Sequence, residues 1–218
     1  MKRLDTKKLT VAAMLCALAY IVMAIGRVPV VLFLSYDPKD VIIALGGLIW
    51  GPMISFAVSL IVSFIEMITI SSTGWIGLIM NVISTCSFAC TAAFIYKKKR
   101  TLSGAVIGLA VGAVTAITVM MLWNYLITPL YMGYPREAVI ELLLPAFLPF
   151  NLLKSGLNAA LTFLLYRPVV SALKSTGLID KTKSKNAEKR KTNIGLIILA
   201  VAIIVTCVLF ILSLNGVI

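Results

Sequence analysis

Long apolar runs, each closed by glycine, proline or charge, divide this chain into segments of helical length. The first extends from about Leu9 to Gly26 and stops at Arg27-Val-Pro29. The second, Val41 to Thr69, is too long for one membrane crossing of about 20 residues, and Gly51-Pro52 interrupts it. Read as one span, it would put Lys97-Lys-Lys-Arg100 on the opposite side from Lys2, Arg3, Lys7 and Lys8, against the positive-inside rule. A short span (about Asp40–Trp50) followed by a fuller one (about Met53–Ile70) puts both clusters on the same side. Further spans are predicted at about Trp75–Tyr96, Leu102–Ile127 and Phe150–Leu173, with a loop at Thr128–Pro149 that has room for a short helical turn. A last apolar run, Ile194–Leu214, reads as a seventh span. The runs are continuous and do not alternate in a period of two, which favours helices over a barrel.

Composition agrees with an all-α integral membrane protein: 61% of the 218 residues are hydrophobic and only 13% charged, at a mean hydropathy of +1.05. A soluble core of this size could not hide so much apolar surface. The expectation is a multi-pass membrane protein, with a cytoplasmic N-terminus and an uncleaved first span. The net charge of +12 is assigned to cytoplasmic loops beside anionic lipid of the bilayer, and no nucleic-acid partner is expected. Arg27, Lys39 and Arg136 are read as outer-loop bases, matched by Asp37, Asp40, Glu137 and Glu141. Cys16, Cys86, Cys90 and Cys207 lie in apolar runs and read as packing residues. The chain has no histidine, no phosphate-binding Gly-Lys-Ser/Thr loop and no defensible catalytic set. It is expected not to be an enzyme, and to use neither cofactor nor metal.

The polar residues inside the spans are the informative ones. Asn151, Lys154 and Asn158 share one helical face at i, i+3 and i+7. A lysine within a span costs roughly 2.5–3.5 kcal/mol on insertion scales, so its default reading is a site. Glu66, Asn81 and Asn124 fall at the same outer depth of three other spans, beneath the loops that carry Asp37 and Trp75. Two readings remain. In one the groups satisfy each other, Lys154 with Glu66. In the other they line an outward-opening pocket, with Tyr36, Trp75 and Tyr125 nearby, suited to a neutral aromatic ligand rich in hydrogen-bonding groups. No continuous polar file leads inward. Small residues at i, i+4 form ridges at Ala13 and Ala17, at Ser55, Ser59 and Ser63, and at Gly104, Gly108, Gly112 and Ala116, where helices can approach closely.

Four stretches carry a family resemblance: Leu34-Ser-Tyr-Asp-Pro-Lys-Asp40, Gly74-Trp-Ile-Gly-Leu-Ile-Met-Asn81, Asn124-Tyr-Leu-Ile-Thr-Pro-Leu-Tyr-Met-Gly133 and Pro149-Phe-Asn-Leu-Leu-Lys-Ser-Gly156. In order, over about residues 8–174, the chain resembles the riboflavin-binding S component of energy-coupling-factor (ECF) vitamin transporters. The resemblance implies a six-helix, vitamin-binding membrane unit (residues 1–174). To this the chain adds a basic cytoplasmic linker (175–193) and an extra transmembrane helix (194–218). It implies capture of riboflavin from the extracellular side, as transported ligand, and delivery through a coupling subunit and two ATP-binding subunits. Asp37, Asn124, Asn151 and Lys154 are implied as polar contacts, with the backbone around Leu34 and Tyr36, and Trp75 as a ring neighbour. Glu66, Asn81, Tyr125 and Asn158 join this set from depth and face alone. Ala13 and Ala17 resemble the motif that docks on the coupling subunit. The alternatives are the same fold with thiamine, pantothenate or biotin, or a self-sufficient secondary carrier.

Overall fold

Gly51-Pro52 does divide the second apolar run, and it does so by folding it back on itself. Gly51 has φ +108°, a left-handed conformation that a side chain would strain, and Pro52 opens the following helix where its missing N–H costs nothing. The computed structural model describes residues 6–31, 34–71, 73–133, 135–176 and 194–214. Most of the basic linker, residues 177–193, lies outside them, as do Lys2 and Arg3. Six helices are long and apolar enough to cross a membrane.

In chain order, α1 (Thr6–Gly26) leads into a small antiparallel hairpin, β1 (Val28–Val31) and β2 (Leu34–Tyr36). The helices α2 (Lys39–Trp50) and α3 (Pro52–Thr69) form the hairpin bent at Gly51. Next come α4 (Gly74–Thr85) and α5 (Thr91–Lys99), joined by a π-helical turn at Cys86–Cys90, and then α6 (Leu102–Leu126). The predicted loop at 128–149 is largely helical: α7 (Thr128–Met132) and α8 (Arg136–Leu142), the latter running through a π-helical turn at Leu143–Phe147 into α9 (Leu148–Ser175). Pro145 sits in that turn and has no N–H to donate, so the ladder widens there. The chain ends with α10 (Ile194–Leu214), on the predicted bounds.

Helix α2 differs from the short span expected at 40–50. Its 12 residues are about 18 Å long at 1.5 Å per residue, less than a hydrocarbon core of about 30 Å. It lies inside the bundle, with nine of those residues buried. Ser55 Oγ donates to the Ile43 carbonyl (2.9 Å), so α3 retraces α2 closely. This hairpin sets the polarity of the molecule. At the bend, Cys90 Sγ reaches the Pro52 carbonyl (3.6 Å), and Lys97–Lys99 follow two turns further on. At the open end stand Lys39 and Glu66. The basic cluster and the buried ion pairs therefore mark opposite ends of the bundle.

The glycine ridge on α6 serves internal packing. A Cβ at Gly108 would stand 2.7 Å from the Ala92 carbonyl oxygen, and one at Gly112 would stand 2.6 Å from that of Phe88. Neither backbone can yield without parting α6 from the α4–α5 rod. Gly112→Ala should lower stability by about 1–3 kcal/mol, the usual cost of overpacking, read as a drop in the unfolding midpoint in detergent. Ser103→Ala, on the same helix, is the control that should leave the midpoint in place.

Candidate functional site

The open end of the α2–α3 hairpin gathers six charged side chains, and the sequence pattern leads there only in part. Pro38 starts α2, which fixes Lys39 and Asp40 in its first turn. Both were read above as loop charges. The structure corrects this: they are 0% and 1% exposed. The reason is that α3, α4 and α9 close over the start of α2, and each brings a partner. A buried charge must be paired and hydrogen-bonded to persist.

Two linked clusters result. In the first, Lys39 Nζ is ion-paired with Glu66 Oε2 and lies 3.8 Å from Asp37 Oδ1. Arg27 Nη1 stands 3.5 Å from Glu66 Oε1, and Asn81 Nδ2 donates to Glu66 Oε2 (2.9 Å). In the second, Lys154 Nζ stands 3.4 Å from Asp40 Oδ2. Asp40 also accepts hydrogen bonds from Thr85 Oγ1 (2.6 Å) and Asn158 Nδ2 (3.2 Å), and Tyr36 OH donates to Asn158 Oδ1 (3.2 Å). The direct partner of Lys154 is thus Asp40, not Glu66. Three bases and three acids leave the group formally neutral.

Asp37 lies in the turn between β2 and α2. Burial pushes its carboxyl up, but Lys39, Lys154 and Arg27 outweigh that and hold it below the usual carboxylate range, so it is ionised at neutral pH. Burial, then Asp40 and Asp37, push the Tyr36 phenol upward, which keeps it a hydrogen-bond donor.

Beside the clusters opens a cleft of about 640 Å³, mouth included. The hairpin gives it Leu34, Ser35 and Asp37; α3 and the turn after it give Glu66, Ser71 and Thr73; α4 gives Met80, Asn81 and Ser84. Met120 and Asn124 of α6 and Phe150, Asn151 and Lys154 of α9 complete the wall with Arg27. Its two asparagines on α6 and α9 differ in how far the protein satisfies them. Asn151 spends its amide N–H on the Phe147 carbonyl (2.7 Å). Asn124 Oδ1 accepts from Thr128 (3.1 Å), while its buried Nδ2 has no hydrogen-bond partner among the described residues. A buried amide donor without a partner is costly.

Of the residues singled out by sequence, Leu34, Asp37, Glu66, Asn81, Asn124, Asn151 and Lys154 border this cleft. Four do not. Tyr36 and Asn158 are buried behind it, as supports for Asp40. Trp75 opens α4 and turns outward, 68% exposed, a position that suits a membrane-interface aromatic. Tyr125 is also partly exposed, beneath the Arg136 guanidinium. The aromatic on the wall is Phe150 instead. Its signal was present: Phe150, Lys154 and Asn158 follow one another at i, i+4 on a single face. Ala13 and Ala17 are exposed on α1, facing away from the bundle.

These features define a multi-pass helical membrane protein with a charge-balanced cleft at one end and, among the described residues, no metal-binding cluster. Residues 7–166 match the model of the ECF transporter substrate-specific component, and the chain belongs to that family of transport components, which are not enzymes. It is 28% identical over 179 residues to the riboflavin transporter RibU of Staphylococcus aureus (strain TCH60), covering 78% of this chain and 94% of that protein. It is 27% identical over 164 residues to the riboflavin transporter FmnP of Bacillus subtilis (strain 168), covering 69% and 85%. The solved structure of the S component of a bacterial ECF transporter superposes with a TM-score of 0.66 at 26% identity, over 78% of this chain and 99% of that one.

Proposed function

We propose that this chain is the riboflavin-capture subunit of an ATP-driven vitamin importer. The observation that carries the reading is the cleft itself: neutral in sum, with Asp37, Asn124, Asn151 and Lys154 set beside Leu34, Met80, Met120 and Phe150 in one wall. An isoalloxazine ring needs apolar and aromatic surface, and its carbonyls and ribityl hydroxyls need donors and acceptors. The two riboflavin transporters among its relatives support the same choice. Asp37, Asn124, Asn151 and Lys154, with the backbone near Leu34, supply the polar contacts. Glu66 and Asn81 act on the adjoining wall, while Tyr36 and Asn158 support Asp40.

The cleft faces the extracellular side in this reading, because Lys97–Lys99 at the other end belong in the cytoplasm. Delivery passes through a transmembrane coupling subunit and two ATPases, with the exposed Ala13 and Ala17 as the docking ridge on the first. Absorption spectroscopy of the detergent-purified protein tests the ligand. A flavin spectrum that co-purifies, and quenching of added riboflavin fluorescence at stoichiometric protein, are expected. Colourless protein that leaves riboflavin fluorescence unchanged would sink the proposal.

A further inference from the structure

The family match ends at residue 166, before α10 begins. This helix contributes nothing to the cleft wall, and only 6% of its span is buried in the bundle. Its contacts follow one narrow stripe. Ala200, Ile204, Cys207 and Ile211 recur at spacings of four, three and four, the seam of two packed helices. Ala200 is 5% exposed, while Ile198 on the other face is 63% exposed. The stripe lies on α9 where that helix has Gly156. A Cβ there would be 3.6 Å from Ile203 and 3.9 Å from Cys207, so the two helices run close together.

The same stripe also reaches the β-hairpin. Helix α10 touches β1. Ile204, Cys207 and Ile211 pack against the apolar cluster in which Val30, Leu34 and Tyr36 of the hairpin meet Phe150, Leu153 and Leu157 of α9. The hairpin is weak by itself: strands of four and three residues, with a register irregularity between Pro29 and Val31. An isolated two-stranded hairpin is marginal and needs packing on one face. Ser35 and Asp37, together with Leu34, also border the cleft. The segment thus adjoins both the cleft and α10.

We propose that α10 is a built-in brace for this hairpin, with Ile204, Cys207 and Ile211 as positioning residues that keep Leu34–Asp37 against the bound ligand and slow its release. The brace itself rests on packing alone; its effect on ligand rests on the capture reading given above.

The test uses the full-length protein carrying Ile204→Ala and Ile211→Ala together, with Ile198→Ala as the lipid-facing control and Ile211→Val as the conservative variant. Hydrogen–deuterium exchange of the unliganded protein reads the hairpin directly. Amides of residues 28–31 and 34–36 in the double variant should exchange about tenfold faster, the factor set by about 1.4 kcal/mol. Those of α3 and α6 should keep their rates, as should all amides in Ile198→Ala. Ile211→Val should stay near the parent. Riboflavin dissociation, followed by fluorescence recovery, should speed up by a similar factor with the association rate little changed. Unchanged hairpin exchange in a folded double variant overturns the proposal, and so does an increase spread evenly over the bundle. A parent protein that does not bind riboflavin removes the capture reading, while the exchange measurement still decides the brace.

Discussion

Replacing Lys39 with methionine should destabilise the protein by about 3–5 kcal/mol, the cost of stranding one member of a buried ion pair. Lys39 is fully buried, and Glu66, its direct partner, is 2% exposed. Without the ammonium, Glu66 keeps Arg27 at 3.5 Å and the Asn81 amide at 2.9 Å. Those partners place the loss at the lower end of the range, because Arg27 is a third exposed and solvent-screened. Asp37 loses the nearest of its three cations as well. The measurement is the unfolding midpoint in detergent of Lys39→Met against Lys39→Met/Glu66→Gln. If stranded charge is the cause, the double variant recovers most of the loss. A double variant as unstable as the single one would assign the loss to the packing of the lysine stem.

That prediction concerns a residue whose place the sequence misreports, for a physical reason. Span lengths follow from local hydrophobicity, so α1, α3, α6 and α10 are legible to within a few residues. Glu66, Asn124, Asn151 and Lys154 are legible for a related reason: a polar group inside an apolar run is expensive and stands out. Lys39 and Asp40 do not stand out, since they flank an apolar run as ordinary membrane-surface charges do. Their burial is decided by residues far along the chain, Asn158 standing 118 positions from Asp40. The hairpin at 28–36 was hidden likewise, being two very short strands that depend on packing from α9 and α10. Trp75 shows the converse. Its neighbourhood in sequence is that of the site, but one helical rotation at the start of α4 sends the ring outward.

Lys154→Met should weaken riboflavin binding by about 1.5–3 kcal/mol, roughly ten- to a hundredfold, the value of a hydrogen bond from a charged donor. A second effect accompanies it. Lys154 is the direct ion-pair partner of Asp40, which retains only the Thr85 hydroxyl and the Asn158 amide once the ammonium is gone. The cleft then carries one net negative charge, and stability should fall together with affinity. Adding Asp40→Asn separates the two effects. The amide removes the stranded charge, so Lys154→Met/Asp40→Asn should regain most of the lost unfolding midpoint. If Lys154 also reaches the vitamin from the cleft wall, the double variant stays weak in riboflavin titration despite its restored fold. Affinity that returned along with stability would make Lys154 a support for Asp40 alone. The polar contacts to the ligand would then rest on Asp37, Asn124 and Asn151, of which Asn124 holds a buried amide nitrogen with no hydrogen-bond partner among the described residues.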